Sequence, residues 1–259
     1  MSKIKVLNLY AGIGGNRKLW ENVDVTAVEN NQEIANIYKD FFPEDEVIVT
    51  DAHQFLLEHF KKFDFIWSSP PCPTHSRMRM NHKKKVYPDM RLYQEIIFLK
   101  HHFKGKWIVE NVLPYYNPLI EPKIIHRHAF WSNFDIPQKT FKTLKTCKVL
   151  NEREVLQKEF GFNLDKFNGV DKRLLLRNCV VPELGLHIFN SAYNSKQKLL
   201  SQSHKSHTLP TATFPTEKAI NMRYQETSEE VSQMPNGTSD NANIQRLHPN
   251  LNFCSKRLK

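Results

Sequence analysis

The chain has 259 residues, 40% of them hydrophobic, and a formal net charge of +10. This length and hydrophobic content predict one large domain, or one domain with an appendage, around a real core. Its four cysteines, Cys72, Cys147, Cys179 and Cys254, form no CxxC pair, which argues against a disulfide scaffold and predicts an intracellular protein with reduced thiols.

Several other classes of protein are also disfavoured. A predicted strand begins almost at the first residue and no apolar stretch reaches membrane-spanning length, so we expect no signal peptide and no membrane partner. The twelve histidines are scattered and lie in no zinc-ligand spacing, so we expect no metal. The basic charge favours nucleic acid as a partner, although ordinary solubility charge explains it equally well.

Strands and helices alternate along the first half of the chain. Strands are predicted over residues 4–10, 23–28, 47–49, 63–67 and 107–109. Helices are predicted over residues 17–22, 32–42, 52–62 and 89–103, the second and fourth from apolar residues at helical spacing. This alternation predicts an α/β fold with a mostly parallel twisted sheet and helices on both faces.

The composition changes near residue 195. Beyond it polar residues dominate and apolar periodicity fades, which predicts a domain over residues 1–195 and a flexible, polar and basic tail over residues 196–259. A short helix over residues 217–231 is the one element predicted within this tail.

The segment Ser69-Pro70-Pro71-Cys72 follows the fourth predicted strand directly. Its two prolines fix φ and remove backbone donors, so it is predicted to form a stiff turn. An α/β fold places its chemistry at this end of a strand, where Cys72 would serve as a nucleophile. The alternative interpretation is a small buried hydrophobe, which is what most lone cysteines are.

Other predicted strands end in residues suited to a nucleotide-like cofactor. The first leads into Tyr10-Ala11-Gly12-Ile13-Gly14-Gly15, whose glycines permit a sharp turn and close approach of a ligand. The second ends in Glu29, an expected partner for ribose hydroxyls. Asp51 follows the third, as an acceptor for an adenine amino group, as a helix N-cap, or as both. The fifth ends in Glu110-Asn111-Val112, one sheet position from Cys72.

In this order, these segments resemble the motifs of the DNA (cytosine-5) methyltransferases, over about residues 4–190. The resemblance rests on the ordered series, because each motif alone is a weak signal. The matching segments are residues 9–15 (with Tyr10 where the family usually has Phe), Glu29, Asp51, Pro70-Pro71-Cys72, Glu110-Asn111-Val112, residues 127–133 and residues 176–183. Residues 127–133 are similar to the motif that carries a substrate-binding arginine, and residues 176–183 to the motif that closes the cofactor site.

The resemblance implies a Rossmann-like fold and S-adenosylmethionine as the cofactor. The residues it implies for cofactor binding are Tyr10, Ala11, Gly12, Ile13, Gly14, Gly15, Glu29, Asn30, Asp51, Ala52, Pro70 and Asn178. It also implies three catalytic residues. Cys72 would attack C6 of a flipped cytosine with help from nearby positive charge, Glu110 would bond the N3 and amino edge, and Arg127 would hold the O2 side or orient Cys72.

The expected partner is double-stranded DNA, methylated by a monomer in the cytoplasm of a bacterium or a phage-infected host cell, as in restriction–modification. A basic run after the cysteine is expected to grip phosphates and close over the base, the other interpretation being a solvated charge run. Its residues are Arg77, Arg79, Lys83, Lys84 and Lys85.

One departure from the family pattern is the short recognition region, about residues 137–172, where family members usually carry a sizeable one. Two alternatives stay open: an RNA cytosine-5 methyltransferase of similar fold and mechanism, and a nucleic-acid-binding relative with little or no turnover, which the short recognition region motivates. The intact Pro70-Pro71-Cys72 and Glu110-Asn111-Val112 motifs argue against the second, since a binding module needs neither.

Overall fold

The computed structural model describes residues 2–77, 86–141 and 151–193. These residues form a seven-stranded sheet. Its strands are β1 (Ile4–Leu9), β2 (Val23–Glu29), β3 (Glu46–Val49), β4 (Phe65–Ser68), β5 (Lys106–Val112), β6 (Lys123–Ile125) and β7 (His128–Ser132). The helices are α1 (Gln32–Phe41), α2 (Ala52–His59), α3 (Arg91–His102), α4 (Glu152–Phe160), α5 (Lys172–Arg177) and α6 (Pro182–Tyr193), with a 3₁₀ turn over Phe60–Lys62.

The strand order is β3-β2-β1-β4-β5-β7-β6. The first five strands are parallel, and the β6–β7 hairpin joins the edge of β5 in antiparallel orientation. The chain runs outward from β1 to β3 and then returns to place β4 on the other side of β1. Such a reversal of strand order opens a crevice at the carboxyl ends of the central strands. The predicted Rossmann-like α/β fold is confirmed.

Both faces of the sheet are covered, which explains why β1, β4 and β5 each bury consecutive apolar side chains rather than alternate ones. Successive side chains of a strand point to opposite faces. Leu7 and Ile66 pack in a cluster with α2 and α3, whereas their neighbours Val6 and Trp67 pack in a cluster with α6. All four side chains are fully buried. No helix within the described parts of the chain is long and apolar enough to cross a membrane.

Most predicted elements are found within two residues of their expected bounds, but the helix expected over residues 17–22 is wrong. This segment forms turns, with the Arg17 amide bonding to Gly14 and the Trp20 amide to Arg17. The reason is tertiary: the Arg17 guanidinium pairs with Asp45 at 2.9 Å, and the Trp20 indole is buried and donates to the Gly185 carbonyl. The predicted tail and the helix over residues 217–231 lie outside the described residues.

Candidate active site

The register of the parallel strands brings the predicted motifs to one edge of the sheet. Leu9 pairs with Val28 on one side and with Ser68 on the other, and Ser68 pairs with Val109. The residues that follow this row therefore lie side by side. They are Tyr10, Glu29, Ser69 and Glu110.

The glycine turn and Glu29 form one hydrogen-bonded unit. The Gly12 amide donates to Glu29 Oε2 and the Asn31 amide donates to Oε1, each at 3.0 Å. Gly12 and Gly14 have φ values of 54° and 83°, a region that glycine enters without steric cost. An ionised carboxylate has about four acceptor sites, so each Glu29 oxygen keeps capacity for a further donor.

The segment after α5 packs directly against this turn. A Cβ atom at Gly15 would lie 2.6 Å from the Val180 carbonyl oxygen and 2.7 Å from the Cys179 Cβ, so only glycine fits there. Asn178, which precedes Cys179, is exposed and ends α5. Residues 176–183 thus return to the glycine turn, as the resemblance implied. Their roles with a cofactor stay predictions.

Asp51 is the N-cap of α2. Its Oδ1 accepts from the Gln54 amide at 2.9 Å, and its Oδ2 lies 3.6 Å from the Arg91 guanidinium. The side chain is about half exposed, which leaves it accessible to a ligand. Ala52 is buried and Asn30 is exposed. The adenine contact of Asp51 and the cofactor contacts of Asn30 and Ala52 stay predictions.

Glu95 on α3 is a buried carboxylate with three side-chain partners, and the sequence analysis did not identify it. The residue is 0% exposed, and its carboxylate contacts Tyr10 Oη at 2.6 Å, His53 Nδ1 at 3.0 Å and the Ser68 hydroxyl. These partners belong to the glycine turn, to the start of α2 and to the end of β4. Glu95 thus ties together three segments that carry predicted site residues. Its position on the apolar face of a helix was the one available signal.

Cys72 sits in a tight turn and is half-buried. Its carbonyl accepts from the amides of His75 and Ser76. Burial raises the pKa of the thiol, and the negative charge of Glu110 raises it further. Among the described residues, burial and Glu110 therefore favour the protonated thiol, and the help expected from nearby positive charge stays a prediction.

Residues 72–77 are docked onto the segment that follows β5. The Asn111 amide group donates to the Pro70 carbonyl at 2.9 Å. Tyr115 bonds through its amide to the His75 carbonyl, and the Tyr116 hydroxyl lies 2.7 Å from His75 Nδ1. These contacts hold the cysteine turn beside the end of β5, where Glu110 lies.

Glu110 is buried, and its hydrogen-bond partner is His128, a residue for which no role was predicted. Glu110 Oε1 lies 2.7 Å from His128 Nδ1. Arg127 is exposed in the two-residue turn between β6 and β7, and the role that the resemblance implies for it stays a prediction. Of the predicted basic run, Arg77 is exposed and lies 3.5 Å from the Pro114 carbonyl, whereas Arg79, Lys83, Lys84 and Lys85 lie outside the described residues.

Comparison with known families agrees with this arrangement. Residues 4–118 match a family model described as C-5 cytosine-specific DNA methylase, and they contain the glycine turn, Glu29, Asp51, Cys72 and Glu110. The family resemblance predicted from the motifs is thereby confirmed.

A curated relative matches a limited part of the chain. The chain is 35% identical over 80 residues to a tRNA (cytosine(38)-C(5))-methyltransferase of Spodoptera frugiperda. The alignment spans 28% of this chain and 24% of that protein. The chain therefore spans about a quarter of the length of this curated relative.

Two solved structures are also similar. A mutant of Spodoptera frugiperda DNMT2 is 30% identical, with a TM-score of 0.32 over 42% of this chain and 36% of that one. The Entamoeba histolytica methyltransferase EhMeth is 11% identical, with a TM-score of 0.42 over 76% of this chain and 99% of that one.

The C-5 cytosine-specific methylase family implies S-adenosylmethionine as the methyl donor. The residues at the sheet edge fit such a ligand. A Cβ atom at Gly12 would meet no atom within 4 Å, so there is open space in front of the glycine turn. Glu29 beside it has acceptor capacity for ribose hydroxyls.

Proposed function

We propose that this chain methylates C5 of cytosine in double-stranded DNA. The observation that carries the proposal is that the Cys72 turn is docked onto the strand that carries Glu110, through the 2.9 Å hydrogen bond from Asn111 to the Pro70 carbonyl, inside the residues that match the methylase family. When bound, S-adenosylmethionine supplies an electrophilic methyl group. The remaining chemistry falls to the protein, because C5 of cytosine is a weak nucleophile.

Cys72 and Glu110 would activate the pyrimidine together. The Cys72 thiol gives its proton to the Glu110 carboxylate, which passes it to N3 as the sulfur bonds to C6. The ring becomes an enamine with a nucleophilic C5. After C5 takes the methyl group, loss of the C5 proton to solvent water and cleavage of the C6–S bond restore the aromatic ring. The sulfur leaves as thiolate and takes back the N3 proton by way of Glu110, so the enzyme returns to its thiol and carboxylate forms.

The electrostatics of the pair support this order of events. The negative charge of Glu110 raises the pKa of the Cys72 thiol, so the free protein keeps its nucleophile protonated. A proton shared between Glu110 and N3 removes that charge and lowers the pKa of Cys72. Thiolate formation is thus favoured when the base is in place.

The target base must leave the duplex, because C5 and C6 are inaccessible within the stack. Arg77, together with Arg79, Lys83, Lys84 and Lys85, would contact the phosphates around the extruded cytosine. A monomer acting in the cytoplasm of a bacterial or phage-infected cell, as part of restriction–modification, belongs to the same proposal.

RNA is the second candidate substrate, because the curated relative is named as a tRNA methyltransferase. We would incubate the purified chain with radiolabelled S-adenosylmethionine and, in parallel, with duplex DNA, the same duplex carrying 5-methylcytosine at every cytosine, and tRNA. We expect label in the first duplex alone. Label in tRNA alone would replace the DNA proposal with the RNA one, and label in none would favour a non-catalytic nucleic-acid-binding protein.

Replacing Glu29 by alanine is expected to weaken S-adenosylmethionine binding by about 10- to 100-fold. The variant loses the ribose acceptor and also the two amide contacts that shape the turn, each worth about 1 kcal/mol or more. Isothermal titration calorimetry measures the affinity. A ribose-deoxygenated analogue separates the two causes, since the variant should lose its preference for the hydroxylated ligand. A preference equal to that of the wild type would contradict the ribose contact.

A further inference from the structure

The Glu110–His128 contact is set by the register of two antiparallel strands. Glu110 on β5 pairs with Phe130 on β7, and Val112 pairs with His128. Glu110 and His128 are therefore diagonal neighbours on one face of the sheet, at a separation that long side chains bridge. Their side chains are 9% and 12% exposed, so the 2.7 Å contact is largely shielded from solvent.

The surroundings of the imidazole indicate where its proton lies. His128 Nε2 is buried and has no hydrogen-bond partner in the described parts of the chain. An N–H at that position would be an orphaned buried donor, which folded proteins avoid. A neutral imidazole carries one proton, which we therefore assign to Nδ1. Nδ1–H then donates to Glu110 Oε1.

We propose that His128 is a positioning residue for Glu110, an inference that rests on the proposed function. Its Nδ1–H holds Oε1, while no described residue donates a hydrogen bond to Oε2. The contact thereby reserves Oε2 for the N3 edge of the cytosine that Cys72 attacks. This role differs from the one that the resemblance implies for Arg127, the preceding residue, which is to hold the O2 side of the base or to orient Cys72.

A neutral donor suits this role better than a guanidinium would. Glu110 must carry a proton when it faces N3, and a permanent positive charge at hydrogen-bond distance would stabilise the carboxylate and oppose that protonation. A neutral imidazole fixes the geometry of the carboxyl group without adding that charge. Arg127, exposed at the tip of the hairpin, is not brought to Glu110 in this structure.

Two substitutions separate positioning from bulk. His128→Asn keeps an N–H donor near the place of Nδ1, whereas His128→Leu removes it and keeps an apolar side chain. We expect kcat on the cytosine substrate to fall about 10- to 100-fold in the leucine variant and to recover most of that loss in the asparagine variant. Affinity for S-adenosylmethionine should be unchanged in both. His102→Asn, at the exposed end of α3, is the matched control.

Equal losses of kcat in the asparagine and leucine variants, or a loss confined to the affinity for S-adenosylmethionine, would overturn the proposal.

A second experiment locates the proton on the His128 ring and needs no catalysis. Nitrogen-15 spectra of labelled histidines should show His128 protonated at Nδ1, with a signal that shifts in Glu110→Gln. Protonation at Nε2 would refute the assignment whatever the activity. If Nδ1 is protonated but no cytosine substrate is methylated, the contact stands and the proposed function fails.

Discussion

Replacement of Cys72 by alanine is expected to abolish methyl transfer, with a loss of about 10⁴-fold or more. Without the sulfur no bond to C6 can form, and C5 stays too weak a nucleophile to accept the methyl group. The fold should tolerate the change, because Cys72 is half-buried and because its backbone carbonyl, which the substitution keeps, accepts the hydrogen bonds from the His75 and Ser76 amides. Affinity for S-adenosylmethionine should change little. Single-turnover methyl transfer and calorimetry measure the two quantities.

A covalent trap makes this test residue-specific. A duplex with 5-fluorocytosine at the target position should capture the wild-type protein. Fluorine stands in place of the C5 hydrogen, so no C5 proton can be lost and the C6–S bond is not cleaved. Cys72→Ala should form no adduct. Cys179→Ala is the matched control: burial raises the pKa of Cys179 to about 12, which makes it inert, so this variant should still be captured. Methyl transfer by the Cys72 variant, or an adduct at another residue, would refute the nucleophile assignment.

Replacement of Glu95 by alanine is expected to lower the free energy of unfolding by about 3–5 kcal/mol. The substitution leaves Tyr10 Oη, the Ser68 hydroxyl and His53 without their shared acceptor, and each buried unsatisfied donor costs about 1–3 kcal/mol. Tyr10 is also a non-glycine residue with a φ of 55°, a conformation that its bond to Glu95 helps to hold. Urea unfolding measures the loss, and calorimetry should show weaker S-adenosylmethionine binding.

A graded control and a pH series sharpen this second prediction. Tyr10→Phe removes one of the three donors and should cost only about 1–2 kcal/mol. The hydrogen bond to Glu95 raises the pKa of His53 above its ordinary 6.5, so the stability that this pair contributes is fully present below pH 6.5 and is lost as the pH rises through the raised value. If Glu95→Ala lowers the free energy of unfolding no more than Tyr10→Phe does, Glu95 does not stabilise the fold through all three partners.

The fold was predictable because its signals are local. Apolar runs predicted the five parallel strands, and Asp51, considered as a helix N-cap, marked the start of α2. The helix expected over residues 17–22 does not form, because Arg17 is held by an ion pair with Asp45, which is distant in the sequence and which local patterns therefore cannot show. Helical spacing likewise cannot show that Glu95, on an apolar face, gathers partners from three other segments.

The order of motifs in the amino-acid sequence predicted the family resemblance, the sheet edge at which the motifs lie, and Cys72 and Glu110 as the proposed catalytic pair. Only the tertiary structure decided how that pair is supported. It placed His128 against Glu110, and it made burial and a neighbouring carboxylate the influences that raise the pKa of the Cys72 thiol. The reason is that strand register and burial arise from the pairing of distant segments. The residues next to a side chain in the sequence therefore do not determine its electrostatic surroundings.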